Sequence, residues 1–289
     1  MKTFVRKIVL SLFLIFNILF SGISISANSP GDLDSRLRTI INGNPGTYRI
    51  GIENYKSGEK IYINNGSIYA ASVIKVFVMM SVYRQVNEGK IKLNSVVKLQ
   101  NREIERVGGT GILQGKPTDY KISIAKLIEY MIVYSDNRAA NILTDLLGFE
   151  YINNSIKWLG CSDDTNINDY FNLYPAHKGK TKIISTLDLN IFLKRIYKKT
   201  CISPIFDDQM VQFMKKTENR KKLVAKLPKD AIVAHKTGSN TNFEHDSGIV
   251  FSRGGDFAIS ILVNAPNGRN TENTIASIAR ETYDYFNGK

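Results

Sequence analysis

Segments with strand character lie towards the two ends of this 289-residue chain, with a long stretch of helical periodicity between them. Residues 48–55 and 60–64 alternate in part between apolar and polar, and Ser57-Gly58 between them suits a hairpin turn. Residues 231–237, 247–252 and 257–264 are strand candidates of the same kind. From Ser72 to about Thr217 the spacing is helical; Ile124, Leu127, Ile128 and Met131 stand at i, i+3, i+4 and i+7, the pattern of one buried helix face. A first helix is predicted over residues 32–41 and a last over 272–286, the latter after the turn Pro266-Asn267-Gly268. The most economical arrangement is an α+β fold of αβα type. One antiparallel five-stranded sheet, drawn from both ends of the chain, is covered by the N- and C-terminal helices, with an all-helical lobe inserted. A cleft between sheet and lobe is the natural place for a site.

The first residues stand outside that pattern. Lys2, Arg6 and Lys7 precede an apolar run over residues 8–20, and small residues follow to Ala27. A basic start, a short apolar core and a small-residue exit are the marks of a secretory signal peptide, here residues 1–27. The run is short for a membrane span of about 20 residues, although apolar character trails on to Ile25, which keeps an uncleaved anchor as the alternative. Residues 28–289 then form one folded domain, expected to be a secreted or cell-wall-associated monomer.

Formal charge is +13, and +10 once Lys2, Arg6 and Lys7 are removed. The lysines are scattered and follow no groove-reading motif, which argues against a nucleic-acid partner. On an exported protein such a balance suits attraction to anionic wall polymers or a carboxylate substrate. Cys161 and Cys201 are the only cysteines, and whether they pair depends on a separation that sequence does not give. His177, His235 and His245 show no metal-ligand spacing, so neither metal nor cofactor is expected.

Three short strings carry the chemistry: Ser72-Val73-Ile74-Lys75, Ser135-Asp136-Asn137 and Lys236-Thr237-Gly238. Each alone has a bland reading, as a helix N-cap or a turn. Together they supply a serine acyl-transfer site that needs no histidine. A serine hydroxyl requires an adjacent base, and lysine serves only when burial or nearby cations bring it well below its ordinary pKa of about 10.4. Ser72 and Lys75, three apart at a predicted helix start, share one face. Apolar Val73, Ile74, Val76 and Phe77 would desolvate Lys75. The Ser72 amide can supply half of an oxyanion hole, a donor typically worth about 3–4 kcal/mol in acyl transfer. Gly238, at a strand end, has no side chain to block a substrate.

S-x-x-K, S-D-N and K-T-G in this order are the motif set of class A β-lactamases and penicillin-binding proteins. The chain resembles class A β-lactamases and related serine hydrolases from about Leu33 to Phe286. Residues 109–114, 131–137 and 245–250 read like that family as well. The resemblance implies a nucleophilic Ser72, a proton-relaying Ser135 and an Asn137 that donates to the acyl amide of the substrate. It further implies that Lys236 and Thr237 hold a carboxylate and that the Ser239 amide completes the oxyanion hole. Arg220, Lys222 and Arg253 are candidates for a second carboxylate contact. It also implies a loop Glu, four residues before an Asn, that activates the deacylating water. If Asn172 is that Asn, Asn168 stands at the Glu position, and an amide is no base; Asp169 is one place off.

The leading expectation is a secreted enzyme that opens β-lactam rings through an acyl-enzyme on Ser72, with slow turnover. The alternatives are a D-alanyl peptidase-like penicillin-binding enzyme acting on cell-wall peptide, and a non-hydrolysing β-lactam- or peptide-binding module.

Overall fold

The computed structural model describes residues 30–100, 107–109, 111–171, 181–265 and 270–288. The predicted signal peptide, Asn172 and the turn at 266–268 lie outside them. In chain order the elements are α1 (Pro30–Asn42), β1 (Thr47–Asn54), β2 (Lys60–Ile63), β3 (Ile68–Tyr69) and α2 (Lys75–Asn87). There follow β4 (Val96–Lys98), β5 (Lys121–Ser123), α3 (Ile124–Val133), α4 (Asn137–Leu147), α5 (Phe149–Trp158) and β6 (Asn166–Ile167). The chain continues through β7 (Lys182–Ile184), α6 (Thr186–Tyr197), α7 (Pro204–Lys215), β8 (Ile232–Asn240), β9 (Phe243–Phe251), β10 (Phe257–Asn264) and α8 (Thr271–Phe286).

β1, β2, β8, β9 and β10 form one antiparallel five-stranded sheet in the order β2-β1-β10-β9-β8, as the split strand pattern requires. Period-two alternation sends the two faces of β10 into different cores. Phe257, Ile259, Ile261 and Val263 pack with Leu33 and Leu37 of α1 and Ile275 and Ile278 of α8. Ala258 and Leu262 join the second core with Phe77, Leu127, Ile128, Met131 and Phe192 of the helical lobe. Three layers result, with the lobe built on one sheet face.

Two expectations need correction. The predicted helical block contains four strands of two or three residues, β4 to β7, too short to show a period of their own. The first lobe helix begins at Lys75, not at Ser72: residues 71–74 form a turn, and Ala71 takes a left-handed backbone with φ of 45°. Cys161 and Cys201 are free buried thiols, and burial raises the pKa of both. Among the described residues no helix is long and apolar enough to cross a membrane.

Candidate active site

The turn that precedes α2 brings Ser72 to the outer edge of β8. A Cβ placed on Gly238 would come within 2.9 Å of the Val73 amide nitrogen and 3.0 Å of that of Ser72, so only glycine lets turn and strand approach this closely. β8 ends the sheet and pairs only with β9, which leaves its other edge turned to the lobe. A cavity of about 600 Å³ opens along that edge. Ser72, Ser135, Asn137, Thr237 and Ser239 are among its lining residues.

Lys75 lies beneath Ser72, completely buried, because the first turn of α2 is apolar on every side. Its ammonium nitrogen donates to the Ser135 carbonyl at 2.7 Å and to Asn137 Oδ1 at 2.7 Å, with Ser135 Oγ at 3.4 Å. The first two partners can only accept. A neutral Lys75 that keeps both bonds has used its two N–H groups, so its lone pair is left for a proton. Burial, together with the nearby Lys236 and Lys182, holds the Lys75 pKa well below the ordinary lysine range, against an opposing pull from Asp136.

Ser135 reaches both lysines because its backbone is left-handed, with φ of 57°. Its carbonyl serves Lys75, while its hydroxyl accepts from Lys236 Nζ at 2.9 Å. Asp136 fixes this kink. It caps α4 by accepting from the Ala139 amide at 2.9 Å, and its other oxygen accepts from the Leu113 amide at 2.7 Å. Gly111 packs against this carboxylate so tightly that a Cβ there would sit 2.5 Å from Asp136 Oδ2. With Asp136 pinned on both oxygens, Gly111→Ala is expected to cost about 1–3 kcal/mol through overpacking. For a chain of this size each kcal/mol lowers Tm by about 2–4 °C; a calorimetric Tm equal to wild type would refute the fit.

Lys236 is also wholly buried and donates to the Thr237 carbonyl at 2.8 Å. Burial lowers its pKa to about 7; Asp246 pushes it up and Lys222 pushes it down. Behind the strand, Lys222 has no exposure and donates to the Gly238 carbonyl at 2.9 Å, Ser239 Oγ at 2.9 Å and the His245 carbonyl at 3.1 Å. It also pairs with Glu244 at 2.5 Å. The three basic candidates for a second carboxylate contact thus separate: Arg220 lines the cavity, Lys222 braces the back of β8, and Arg253 lines a different cavity with Pro228 and Tyr283.

The loop after β6 departs from the predicted register. Asn168 is exposed; its side chain accepts from Asn153 Nδ2 at 3.2 Å and donates to Asn166 Oδ1 at 2.9 Å, away from the cavity. Asp169 turns to Lys182, with 3.7 Å between carboxylate oxygen and ammonium, and does not line the cavity. The residue presented to Lys75 is Phe171, whose ring centre lies 4.7 Å from Lys75 Nζ. Asn141 holds it there: Asn141 Oδ1 accepts from the Phe171 amide at 2.7 Å and Nδ2 donates to the Phe171 carbonyl at 3.0 Å. Asn141 follows Asn137 by one helical turn, a pairing the sequence offered and motif reading passed over. Lys182, the last of three alternating lysines at 178, 180 and 182, gave no such signal.

The model of the family described as "Beta-lactamase enzyme family" matches residues 32–286, nearly the whole described chain. The chain belongs to the β-lactamase enzyme family. Among curated relatives, extended-spectrum β-lactamase PER-1 of Pseudomonas aeruginosa is 24% identical over 283 residues, covering 92% of this chain and 91% of the relative. A β-lactamase of Bacteroides uniformis is 25% identical, covering 90% and 93%. Among solved structures, a β-lactamase from Sphaerobacter thermophilus superposes with TM-score 0.82 at 22% identity, over 90% of this chain and 99% of that one. PBP-A superposes with TM-score 0.81 at 26% identity, over 89% and 97%. A variant of PBP-A was solved as an acyl-enzyme complex with penicillin G. This β-lactamase-family chain thus shares the fold of those structures, and in it a phenyl ring lies on the loop side of Lys75.

Proposed function

We propose that the protein is a serine hydrolase that opens β-lactam rings by acylating Ser72 and releases the product slowly. The observation that carries the first half is the doubly accepted Lys75: buried, flanked by a second buried lysine, and bonded to two groups that can only accept. Neutral Lys75 takes the Ser72 hydroxyl proton as Oγ forms its bond to the lactam carbonyl carbon. Negative charge develops on the carbonyl oxygen, and the Ser72 and Ser239 amides at the β8 edge receive it. The C–N bond then breaks, and the ring nitrogen takes a proton through the Ser135 hydroxyl, which lies 2.9 Å from Lys236 Nζ and 3.4 Å from Lys75 Nζ. Lys236 and Thr237 hold the substrate carboxylate, and the second N–H of Asn137 Nδ2, whose first goes to the Gly108 carbonyl, meets the acyl amide.

Phe171 supports the second half, since the loop offers a hydrocarbon face where a base for the deacylating water would approach Lys75. The same observation favours the penicillin-binding, D-alanyl peptidase-like reading as the second choice. In both, residues 1–27 act as an export signal, and residues 28–289 work as a monomer outside the cytoplasmic membrane. The supports for export are the basic start, the short apolar core and the small-residue exit.

Intact mass measured over time after mixing with benzylpenicillin tests the proposal. A penicilloyl adduct is expected on wild type within minutes, with decay over hours, and none on Ser72→Ala. An adduct that persists on Ser72→Ala would overturn the assignment, and rapid return to free enzyme would overturn slow release.

A further inference from the structure

The end of the cleft away from Lys236 is also cationic. β8 carries the cleft wall from Lys236 to Asn240, about 13 Å at ~3.3 Å per residue. At that end Asn240 and Tyr69 line the cavity together. Lys182 enters the cleft beside Tyr69, since its carbonyl accepts from the Ala70 amide at 2.9 Å. Its ammonium lies 5.9 Å from the Tyr69 ring centre and 5.1 Å from that of Phe171. The residue is 3% exposed, yet it lines the cavity.

A buried ammonium needs oxygen partners for three N–H groups. Lys182 donates to the Tyr170 carbonyl at 2.8 Å and pairs with the Asp169 carboxylate at 3.7 Å, and among the described residues its third N–H has no oxygen partner. Burial lowers its pKa and Asp169 opposes that, favouring the ammonium. Two aromatic faces and a nearly dry setting strengthen whatever charge interaction the remaining donor makes. A neutral apolar acyl group seated there would cover the charge without satisfying it, an unfavourable fit that discriminates by exclusion.

Building on the acylation assigned to Ser72, we propose that Lys182 is a specificity-determining residue that receives an anionic group on the acyl part of the substrate. The preferred substrate class is then a dianion, with one carboxylate for Lys236 and another, beyond the scissile amide, for Lys182. Tyr69 and Phe171 form the apolar walls of this second subsite, and Asp169 sets its strength by competing for the ammonium.

Benzylpenicillin and carbenicillin differ only by a carboxylate on the benzylic carbon of the acyl side chain, so their ratio isolates that group. Wild type is expected to be acylated roughly tenfold faster by carbenicillin, the scale of one charge-assisted hydrogen bond. Lys182→Met should bring the ratio close to one, Lys182→Arg should retain a preference, and Asp169→Asn should enlarge it. The ratio of dissociation constants on Ser72→Ala, which cannot form the ester, reads the same preference without chemistry. If neither penicillin acylates wild type, the acylation reading fails, and the binding ratio alone decides the subsite. A wild-type ratio near one, or the same ratio in Lys182→Met or in Asp169→Asn, overturns the proposal.

Discussion

Lys75→Arg is expected to slow acylation of Ser72 by at least ~10²-fold while leaving the fold intact. The guanidinium keeps the positive charge and can still donate to the Ser135 carbonyl and Asn137 Oδ1, but it does not deprotonate at working pH. Wild-type Lys75 has its pKa lowered by burial and by its lysine neighbours, so its free base is populated at pH values where an exposed lysine is charged. Wild-type acylation should therefore fall as pH drops through that lowered value, because protonation removes the accepting lone pair. The Arg variant should lose this acid limb along with the rate. Stopped-flow acylation by a chromogenic cephalosporin across pH would read both, and a variant within threefold of wild type at neutral pH would show that another group takes the proton.

Phe171→Glu should shorten the lifetime of the acyl-enzyme by ~10²-fold or more, the ordinary contribution of a general base. The two bonds from Asn141 to the Phe171 backbone fix that position, so a carboxylate built there stays on the Lys75 side of the loop. The new charge also favours the ammonium form of Lys75, so acylation at lower pH should slow unless the Glu takes over as base. Asn168→Glu is the discriminating control. Its side chain would extend beside Asn153, out of the cavity, and should leave adduct decay unchanged. Fast decay in Asn168→Glu with none in Phe171→Glu would restore the register expected from sequence spacing.

That contrast shows where sequence stops informing. The split strands, the two-core sheet and the serine–lysine cluster were legible because each rests on local periodicity or on a string of three or four residues. Lys75 could be expected to be desolvated from the apolar residues around it. Gly238 was expected at the end of a strand, clear of substrate; the strand runs on to Asn240, and the missing side chain makes room for the Ser72 turn. The loop was misread because its register is set by a distant residue, Asn141, that binds Phe171 through the backbone and so leaves no mark on which side chain is used. Lys182 was missed as a site residue, and Lys222 was read as a carboxylate contact and not as a brace, for a related reason. Their value comes from partners on other segments: Tyr170 and Asp169 for one, the carbonyls of Gly238 and His245 for the other. Ser135-Asp136-Asn137 taken alone reads as a helix cap, and Asp136 is one, but its grip on Leu113 and its contact with Gly111 appear only once the chain has returned on itself.

The unpaired edge of β8 has a further meaning. A sheet edge that pairs with no other strand is an invitation to one, and natural sheets usually block such edges with charge, proline or brevity. At the opposite edge β2 has only four residues. On β8 three carbonyls are already taken, that of His235 by Thr217, that of Thr237 by Lys236 and that of Gly238 by Lys222, while the cleft side must stay open to substrate. The helical lobe stands along that edge in the way of a second copy's strand, and the cavity of about 600 Å³ between them is the space left for substrate. Were Asp136 to lose its hold on Leu113 and on the α4 terminus, the lobe would loosen there, and the surface that should receive a substrate would be free to receive another copy of itself.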